Sequence, residues 1–377
     1  MSLTVLTALP ASAETLGGEQ LASPTSTVLL QPGADPLPKV KAATWILADA
    51  ETGEVLAQKG SHVRRAPAST LKMLTALTVL PRTTPDTPYV ATPRAAYIYG
   101  ARVGLKPGKT YTMDELWYAV FLPSANDAAI AVAEANGGVR KTVRQMNDVA
   151  YELRALDTVA KNTNGLDSPG QLSSAYDLAL IARAGLARPD FAKYASTVRA
   201  DFPDVKGKGS HPIYTTNRLL LHGWRGAIGV KTGFTSQAGR TYVGAATRGG
   251  RTLIVAMMGI RESSEDAAKK LLKWGFRNAD AVTPIGSLLE PGAPLPADAG
   301  PQGQSGDVDT AAVAAVAGPD GGADDAGTAT TAAMQSQGSS TIPPGVLIGA
   351  VVVVAGGGAV ALVGRRMRSR PAGRHAA

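Results

Sequence analysis

"AIGVKTGFTSQAGRTYVGAATRGGRTLIVAMMGIRE", residues 227–262, decides the fold. It holds three apolar, β-branched runs: "AIGVKTG", "RTYVGAATRGG" and "RTLIVAMMGIRE". Arg248-Gly249-Gly250-Arg251 makes a turn between the last two. Near the other end, "ATWILADAETGEVLAQKG" (residues 43–60) carries two apolar runs around Glu51-Thr52-Gly53, the pattern of a hairpin. Apolar spacing between these regions predicts helices over 69–80, 113–122, 125–134, 139–156 and 174–186, and a last one over 264–276. Strands at both ends of a helical middle imply an α+β fold. An antiparallel sheet drawn from both chain ends is flanked by helices, and a helical subdomain is inserted.

Composition divides the 377 residues. Residues 42–281 mix apolar, polar and aromatic side chains as a globular region does. Residues 291–341 are mostly Ala, Gly, Pro, Asp, Ser, Thr and Gln with no aromatic, which predicts a disordered linker. Residues 345–364, "GVLIGAVVVVAGGGAVALVG", carry no charge and match the length of a membrane-spanning helix. Arg365, Arg366, Arg368, Arg370 and Arg374 follow, so the chain before the span is expected outside the cell. At the start, Ala11-Ser12-Ala13 has the form of a signal-peptide cleavage site. The expected organisation is a partial signal peptide at 1–13, a flexible segment at 14–41 and a catalytic domain at 42–281. A linker at 282–344, a transmembrane helix at 345–364 and a cytoplasmic basic tail at 365–377 complete it. This predicts a single-pass cell-membrane protein with its domain facing the cell wall.

The absence of cysteine excludes disulfides and thiolate chemistry. The four histidines fall in no metal-ligand spacing, so no metal and no cofactor are expected. The formal charge of +8 owes much to the terminal arginines, and no basic element with interleaved aromatics predicts a nucleic-acid partner.

Three short strings carry chemistry. Ser69-Thr70-Leu71-Lys72 places a hydroxyl and an amine on one helical face. A serine becomes a nucleophile when a base takes its proton, and lysine serves as that base when burial or a nearby cation lowers its pKa. Ser124-Ala125-Asn126 adds a hydroxyl able to relay a proton and an amide able to orient Lys72. Lys231-Thr232-Gly233 sits on an expected edge strand that an extended peptide can pair with. Lys231 brings the cation that depresses Lys72, Thr232 and Thr235 can hold a carboxylate, and Gly233 admits a ligand to the backbone. Each string has an ordinary alternative: Ser69 and Ser124 as helix caps, Lys231 as a surface lysine. An SxxK string arises by chance about once in such a chain, whereas all three in this order are much rarer.

With "APASTLKMLTAL", "NTNGLDSPGQLSSAYDLALIAR", "TTNRLL", "GVKTGFT" and "KKLLKWGF", the chain from 42 to 276 resembles the serine D-Ala-D-Ala carboxypeptidases. These are the low-molecular-mass penicillin-binding proteins of peptidase family S11. The resemblance implies a β-lactamase/DD-peptidase-like fold. It makes Ser69 the acylated nucleophile, Lys72 its general base, and Ser124 and Asn126 the proton-relay and positioning pair. It places the substrate's terminal carboxylate on Lys231, Thr232 and Thr235, with the backbone N–H groups of Ser69 and Phe234 as oxyanion hole. The implied partners are a peptidoglycan stem peptide ending in D-Ala-D-Ala and β-lactams as covalent inhibitors. Two departures stand out. A spanning segment replaces the family's usual second domain and amphipathic helix, and Phe234 follows the Lys-Thr-Gly triplet where many members have histidine. Alternatives are an endopeptidase or transpeptidase of the same family, a class A β-lactamase, and a non-catalytic peptidoglycan-binding homologue. A lactamase of that class needs a glutamate-activated water, and Glu134 and Glu152 begin no ExxLN string.

Overall fold

The computed structural model describes residues 15–204 and 209–295. Two short N-terminal strands come first, β1 (Ser26–Thr27) and β2 (Leu29–Leu30). The expected hairpin follows as β3 (Thr44–Asp49) and β4 (Val55–Lys59). A 3-10 turn over Ala68–Leu71 leads into α1 (Lys72–Val79). The helical middle begins with β5 (Pro88–Val90), α2 (Pro93–Ala96), β6 (Thr110–Thr112) and α3 (Met113–Phe121). It continues through α4 (Asn126–Ala135), α5 (Val139–Glu152), α6 (Ala175–Leu186) and α7 (Pro189–Ser196). The chain returns through β7 (Arg199–Pro203), β8 (Ser210–Tyr214) and α8 (Arg218–Leu221). It ends with β9 (Ala227–Thr235), β10 (Gly239–Arg248), β11 (Arg251–Ile260), α9 (Ser264–Asn278) and β12 (Val282–Thr283).

The main sheet has the order β1-β4-β3-β11-β10-β9, so strands from both chain ends meet at its centre and β9 lies at one edge. All its pairings are antiparallel, and the β3–β11 register sets Leu47 opposite Val255. Period-two alternation sends the strands' side chains to two cores. Ile46, Ala48, Ile254, Ala256 and Met258 join the core shared with α1, α4 and α6. Trp45, Leu47, Leu253, Val255 and Met257 join Leu271, Leu272 and Trp274 of α9 on the other face. Fully burying such a side chain stabilises the fold by about 1.5–3 kcal/mol. Thr112 and Glu115 form a reciprocal capping box that starts α3. α4 is buried from Asn126 to Ala133, and its alanines let neighbouring elements approach closely.

Two boundaries differ from expectation. Residues 15–41, expected to be flexible, are built into the fold. β1 zips onto β4, β2 pairs with β12, Leu21 is buried, and the Trp274 indole N–H donates to the Asp35 carbonyl. Likewise residues 282–295, assigned to the linker, are packed: Val282, Ile285 and Leu288 are buried, and Ile285 N–H donates to Val55 O. Backbone pairing holds both segments, and main-chain hydrogen bonds leave little trace in side-chain periodicity. Among the described residues no helix is long and apolar enough to cross a membrane. The expected signal remnant, span and basic tail lie outside the described residues, as does the linker beyond 295.

Candidate active site

Ser69 lies in the 3-10 turn that precedes α1, and Lys72 is the first residue of that helix. The cap alternative for Ser69 fails, because neither the 3-10 turn nor α1 carries a side-chain cap. Ser124 does not cap α4 either. The cap position is Ala125, and Ser124 itself holds a left-handed backbone at φ 64°. Ala68, just before Ser69, is left-handed too, at φ 48°. A non-glycine residue there costs on the order of 1–3 kcal/mol, and such strain gathers at functional sites.

Lys72 has no solvent contact. Its Nζ lies 2.8 Å from Ser69 Oγ, 2.8 Å from Asn126 Oδ1 and 2.6 Å from the Asn164 carbonyl. Asn126 Nδ2 donates to Tyr99 O at 2.8 Å, which fixes the amide so that its oxygen faces Lys72. Burial pushes the Lys72 pKa well below the usual lysine value, and the charge of Lys231 lowers it further. Asp127 opposes this shift. Its buried carboxylate accepts from the N–H groups of Val103, Gly104, Leu105 and Ala128, which anchors the 103–105 loop to the start of α4.

A neutral Lys72 has two N–H bonds and one lone pair. Asn126 Oδ1 and Asn164 O can only accept, so they take the two hydrogens. The lone pair then points at Ser69 Oγ, and the site can draw the serine proton in one direction.

Lys231, on β9, is also buried, and burial lowers its pKa to about 7. Its Nζ donates to Ser124 Oγ at 2.9 Å and to Thr232 O at 2.9 Å. The expected Lys72–Lys231 coupling is present, while the hydrogen-bond partner of Ser124 is Lys231. An oxygen that accepts from lysine keeps its own hydrogen free to donate.

Two glycines set how closely Ser69 is held. A Cβ on Gly233 would lie 2.4 Å from Thr241 Oγ1 and 2.8 Å from Ser69 N. Its bareness therefore admits the Ser69 backbone close to β9. It also seats Ser69 N beside β9 next to Phe234. Gly165, at φ +82°, faces the same turn, and a Cβ there would lie 2.0 Å from Ala68 O. Thr241 Oγ1 donates to Pro67 O at 2.9 Å and ties the turn to β10.

Thr232 faces the cleft and shares a 2.7 Å hydroxyl contact with Thr216. The Thr235 hydroxyl donates to Asp167 at 2.7 Å and accepts from Ala238 N. A cleft of about 780 Å³ runs along the β9 edge, lined among others by Ser69, Ser124, Thr216, Thr232, Gly233 and the exposed Phe234. An extended peptide can lie against that edge. Among the described residues no cluster of three or more His, Asp or Glu side chains could hold a metal ion.

The three strings therefore converge on one cleft. Asn164, Gly165, Asp127, Thr216, Thr241 and Asp167 were missed as individual site residues. Asn164-Gly165 carried a turn signal, and Thr216 stood in the "TTNRLL" string, but the Asn164 contribution is a backbone carbonyl that residue type does not announce.

The Peptidase S11 family, described as D-alanyl-D-alanine carboxypeptidase, matches residues 31–262. The chain is 40% identical over 266 residues to D-alanyl-D-alanine carboxypeptidase DacB2 of Mycobacterium tuberculosis, covering 68% of this chain and 89% of that one. It is 33% identical over 260 residues to D-alanyl-D-alanine carboxypeptidase DacD of Escherichia coli, covering 65% of this chain and 66% of the relative. Among solved structures, a D-alanyl-D-alanine carboxypeptidase from Mycobacterium tuberculosis matches with a TM-score of 0.65 at 40% identity, covering 69% of this chain and 100% of that one. The family match spans β3 to β11, the helical subdomain and all three strings, and the chain belongs to the D-alanyl-D-alanine carboxypeptidase family, Peptidase S11.

Proposed function

We propose that this chain is a serine-type D-alanyl-D-alanine carboxypeptidase acting on peptidoglycan stem peptides through an acyl-enzyme on Ser69. The observation that carries this reading is the buried amine of Lys72, held 2.8 Å from Ser69 Oγ by two pure acceptors on its other side. Lys72 takes the Ser69 proton as Oγ attacks the carbonyl of the penultimate D-alanine. The N–H groups of Ser69 and Phe234 receive the developing oxyanion. The C–N bond breaks, and Ser124, with its free hydrogen, protonates the leaving nitrogen while the Lys72 and Lys231 amines restore the relay. D-alanine departs, and water, activated by the same lysine, then hydrolyses the ester.

A β-lactam presents a similar strained amide and is expected to acylate Ser69 and leave slowly. Endopeptidase and transpeptidase activity share the acyl-enzyme and differ in leaving group or acceptor. The class A lactamase reading is disfavoured: the Glu134 carboxylate is taken by Tyr89 and Thr92, and neither Glu134 nor Glu152 lines the cleft. Outside the described residues, the uncharged stretch at 345–364 and the arginines after it favour a membrane tether with the enzyme on the wall side.

The test uses purified protein, a peptide ending in D-Ala-D-Ala and a labelled penicillin. Wild type is expected to release D-alanine and to label covalently, and Ser69→Ala to do neither. Label retained by Ser69→Ala refutes the nucleophile, and labelling without D-alanine release refutes the carboxypeptidase. Rapid penicillin turnover supports the lactamase.

A further inference from the structure

Between Asp86 and Asp114 the chain carries Arg94, Arg102, Lys106 and Lys109, and neither Asp nor Glu. The middle of this stretch, residues 97–105, is a loop fixed to the helical wall of the cleft. Tyr99 O accepts from Asn126 Nδ2 at 2.8 Å, and Ala101 O accepts from Asn126 N at 2.7 Å. Asp127 holds the N–H groups of Val103, Gly104 and Leu105, and Ala101 lines the cleft with Ser69 and Ser124. We propose that the outer side of this loop is a second binding surface, which takes the polymeric form of the substrate. Sugar faces of the glycan strand pack on Tyr97 and Tyr99, and carboxylates of neighbouring stem peptides meet Arg94 and Arg102. This rests on the carboxypeptidase reading and adds a contact outside the catalytic cleft.

Ile98 is buried, while Tyr97 and Tyr99 on either side of it are 65% and 82% exposed. The bonds that hold the loop run through its backbone, so neither ring is spent on them. Among the described residues neither phenol has a hydrogen-bond partner. Neighbouring exposed aromatics mark a contact surface, and tyrosine offers a large apolar face at little cost in rotamer freedom. Such a face packs against the C–H groups of a sugar ring while the phenol stays in water.

Two guanidinium groups flank Tyr97. Arg94 lies three residues before it across the turn of α2, so the two share a face. Arg102 Nη1 donates to Ala96 O at 3.3 Å, which sets that guanidinium beside the Tyr97 peptide and leaves its other N–H groups to a ligand. Among the described residues the Arg94 guanidinium has no hydrogen-bond or ion-pair partner. The nearby carboxylates are already engaged. Glu134 accepts from the Tyr89 and Thr92 hydroxyls, and Asp127 is buried on backbone N–H groups. The surface is therefore positive and aromatic, and a guanidinium fork suits a carboxylate. Its place selects the occupant. A stem peptide in the cleft is joined at its far end to the glycan strand, so the polymer passes the cleft mouth, whereas a short free peptide ends before it.

The experiment uses the full-length protein, a short soluble peptide ending in D-Ala-D-Ala, and insoluble peptidoglycan sacculi stripped of phosphate polymers. D-alanine release is measured on both substrates, and binding to the sacculi by cosedimentation. Wild type is expected to bind the sacculi, less so as salt rises, and to show a lower KM per stem peptide on them than on the short peptide. The double variant Arg94→Gln/Tyr97→Ala is expected to lose about tenfold of that preference through KM, the scale of a lost aromatic contact, with the short peptide far less affected. Tyr97→Phe keeps the ring and is expected to keep the preference. A preference that survives the double variant overturns the surface. Equal losses on both substrates also overturn it, since they place the loop in the framework. Wild type that binds vesicles of anionic lipid but not sacculi makes the patch a membrane contact and overturns it as well. Wild type that releases D-alanine from the peptide yet neither binds nor prefers the sacculi overturns the surface and leaves the carboxypeptidase standing. Wild type inert on both substrates overturns both.

Discussion

Each wall of the cleft buries one lysine, and the two walls treat it differently. On the helical wall, oxygens from the Ser69 turn, from α4 and from the Asn164 loop converge on Lys72. On the strand wall, among the described residues, Lys231 finds only the Ser124 hydroxyl and its own neighbour's carbonyl. Burial lowers both pKa values, but Lys72 also feels the charge of Lys231, while Lys231 is shifted to about 7 by burial alone. One amine is thus pushed toward its neutral form among fixed acceptors, and the other titrates near neutrality beside it. The contrast shows how two chemically identical side chains acquire separate duties from their surroundings.

The sharpest way to break this contrast is Lys72→Met. Penicillin acylation is expected to fall by about a thousandfold or more while the fold persists, because an apolar chain replaces a buried amine. Labelling kinetics measure the first and thermal unfolding the second. Acylation within tenfold of wild type would put the base elsewhere.

Gly165→Ala attacks the helical wall through its backbone. The added Cβ meets Ala68 O at 2.0 Å at a left-handed φ, and the expected loss is about 2–4 kcal/mol by denaturant unfolding. Lys231→Met tests the coupling between walls. Without that charge the Lys72 pKa rises, so the acid limb of the acylation profile moves to higher pH and the rate at pH 7 falls roughly tenfold. Because burial is the larger cause, the limb stays below an ordinary lysine titration.

Stability carries the same signature. Between about 7 and the unfolded value of 10.5, the folded Lys231 binds fewer protons than the unfolded chain. Stability therefore rises with pH across that window, and the Lys72 shift acts in the same direction. Tm measured at pH 7 and 9 is expected to increase in wild type and to flatten in Lys231→Met. The smallest effect belongs to Thr235→Val, which removes the bond to Asp167 and is expected to cost about 1 kcal/mol in chemical denaturation.

Elements with side-chain periodicity were legible in the sequence. The β10–β11 hairpin, α3, α4, α6 and α9 begin and end within a few residues of their apolar patterns. Ser69, Lys72, Ser124, Asn126 and Lys231 were legible because few other residue types do their chemistry. The rest was hidden for physical reasons. β1 and β2 are held by main-chain pairing in a Ser/Thr/Pro-rich stretch. Asn164 acts through its carbonyl, and Gly233 serves a contact within the protein. The bond from Thr235 to Asp167 joins the β9 edge to the Asn164 loop across a sequence separation of 68, a contact only three dimensions hold.

The pairing of β3 with β11 has a consequence for how the molecule comes into being. Leu47 must wait for Val255, about 200 residues later, before the centre of the sheet can close, and such distant pairings fold slowly. Ser69 and Lys72 emerge early in synthesis and Lys231 late. Until the last strands arrive, Lys72 is an ordinary hydrated amine and Ser69 an ordinary hydroxyl. Reactivity is therefore a late product of folding, and an incomplete chain carries every early catalytic group without the ability to acylate.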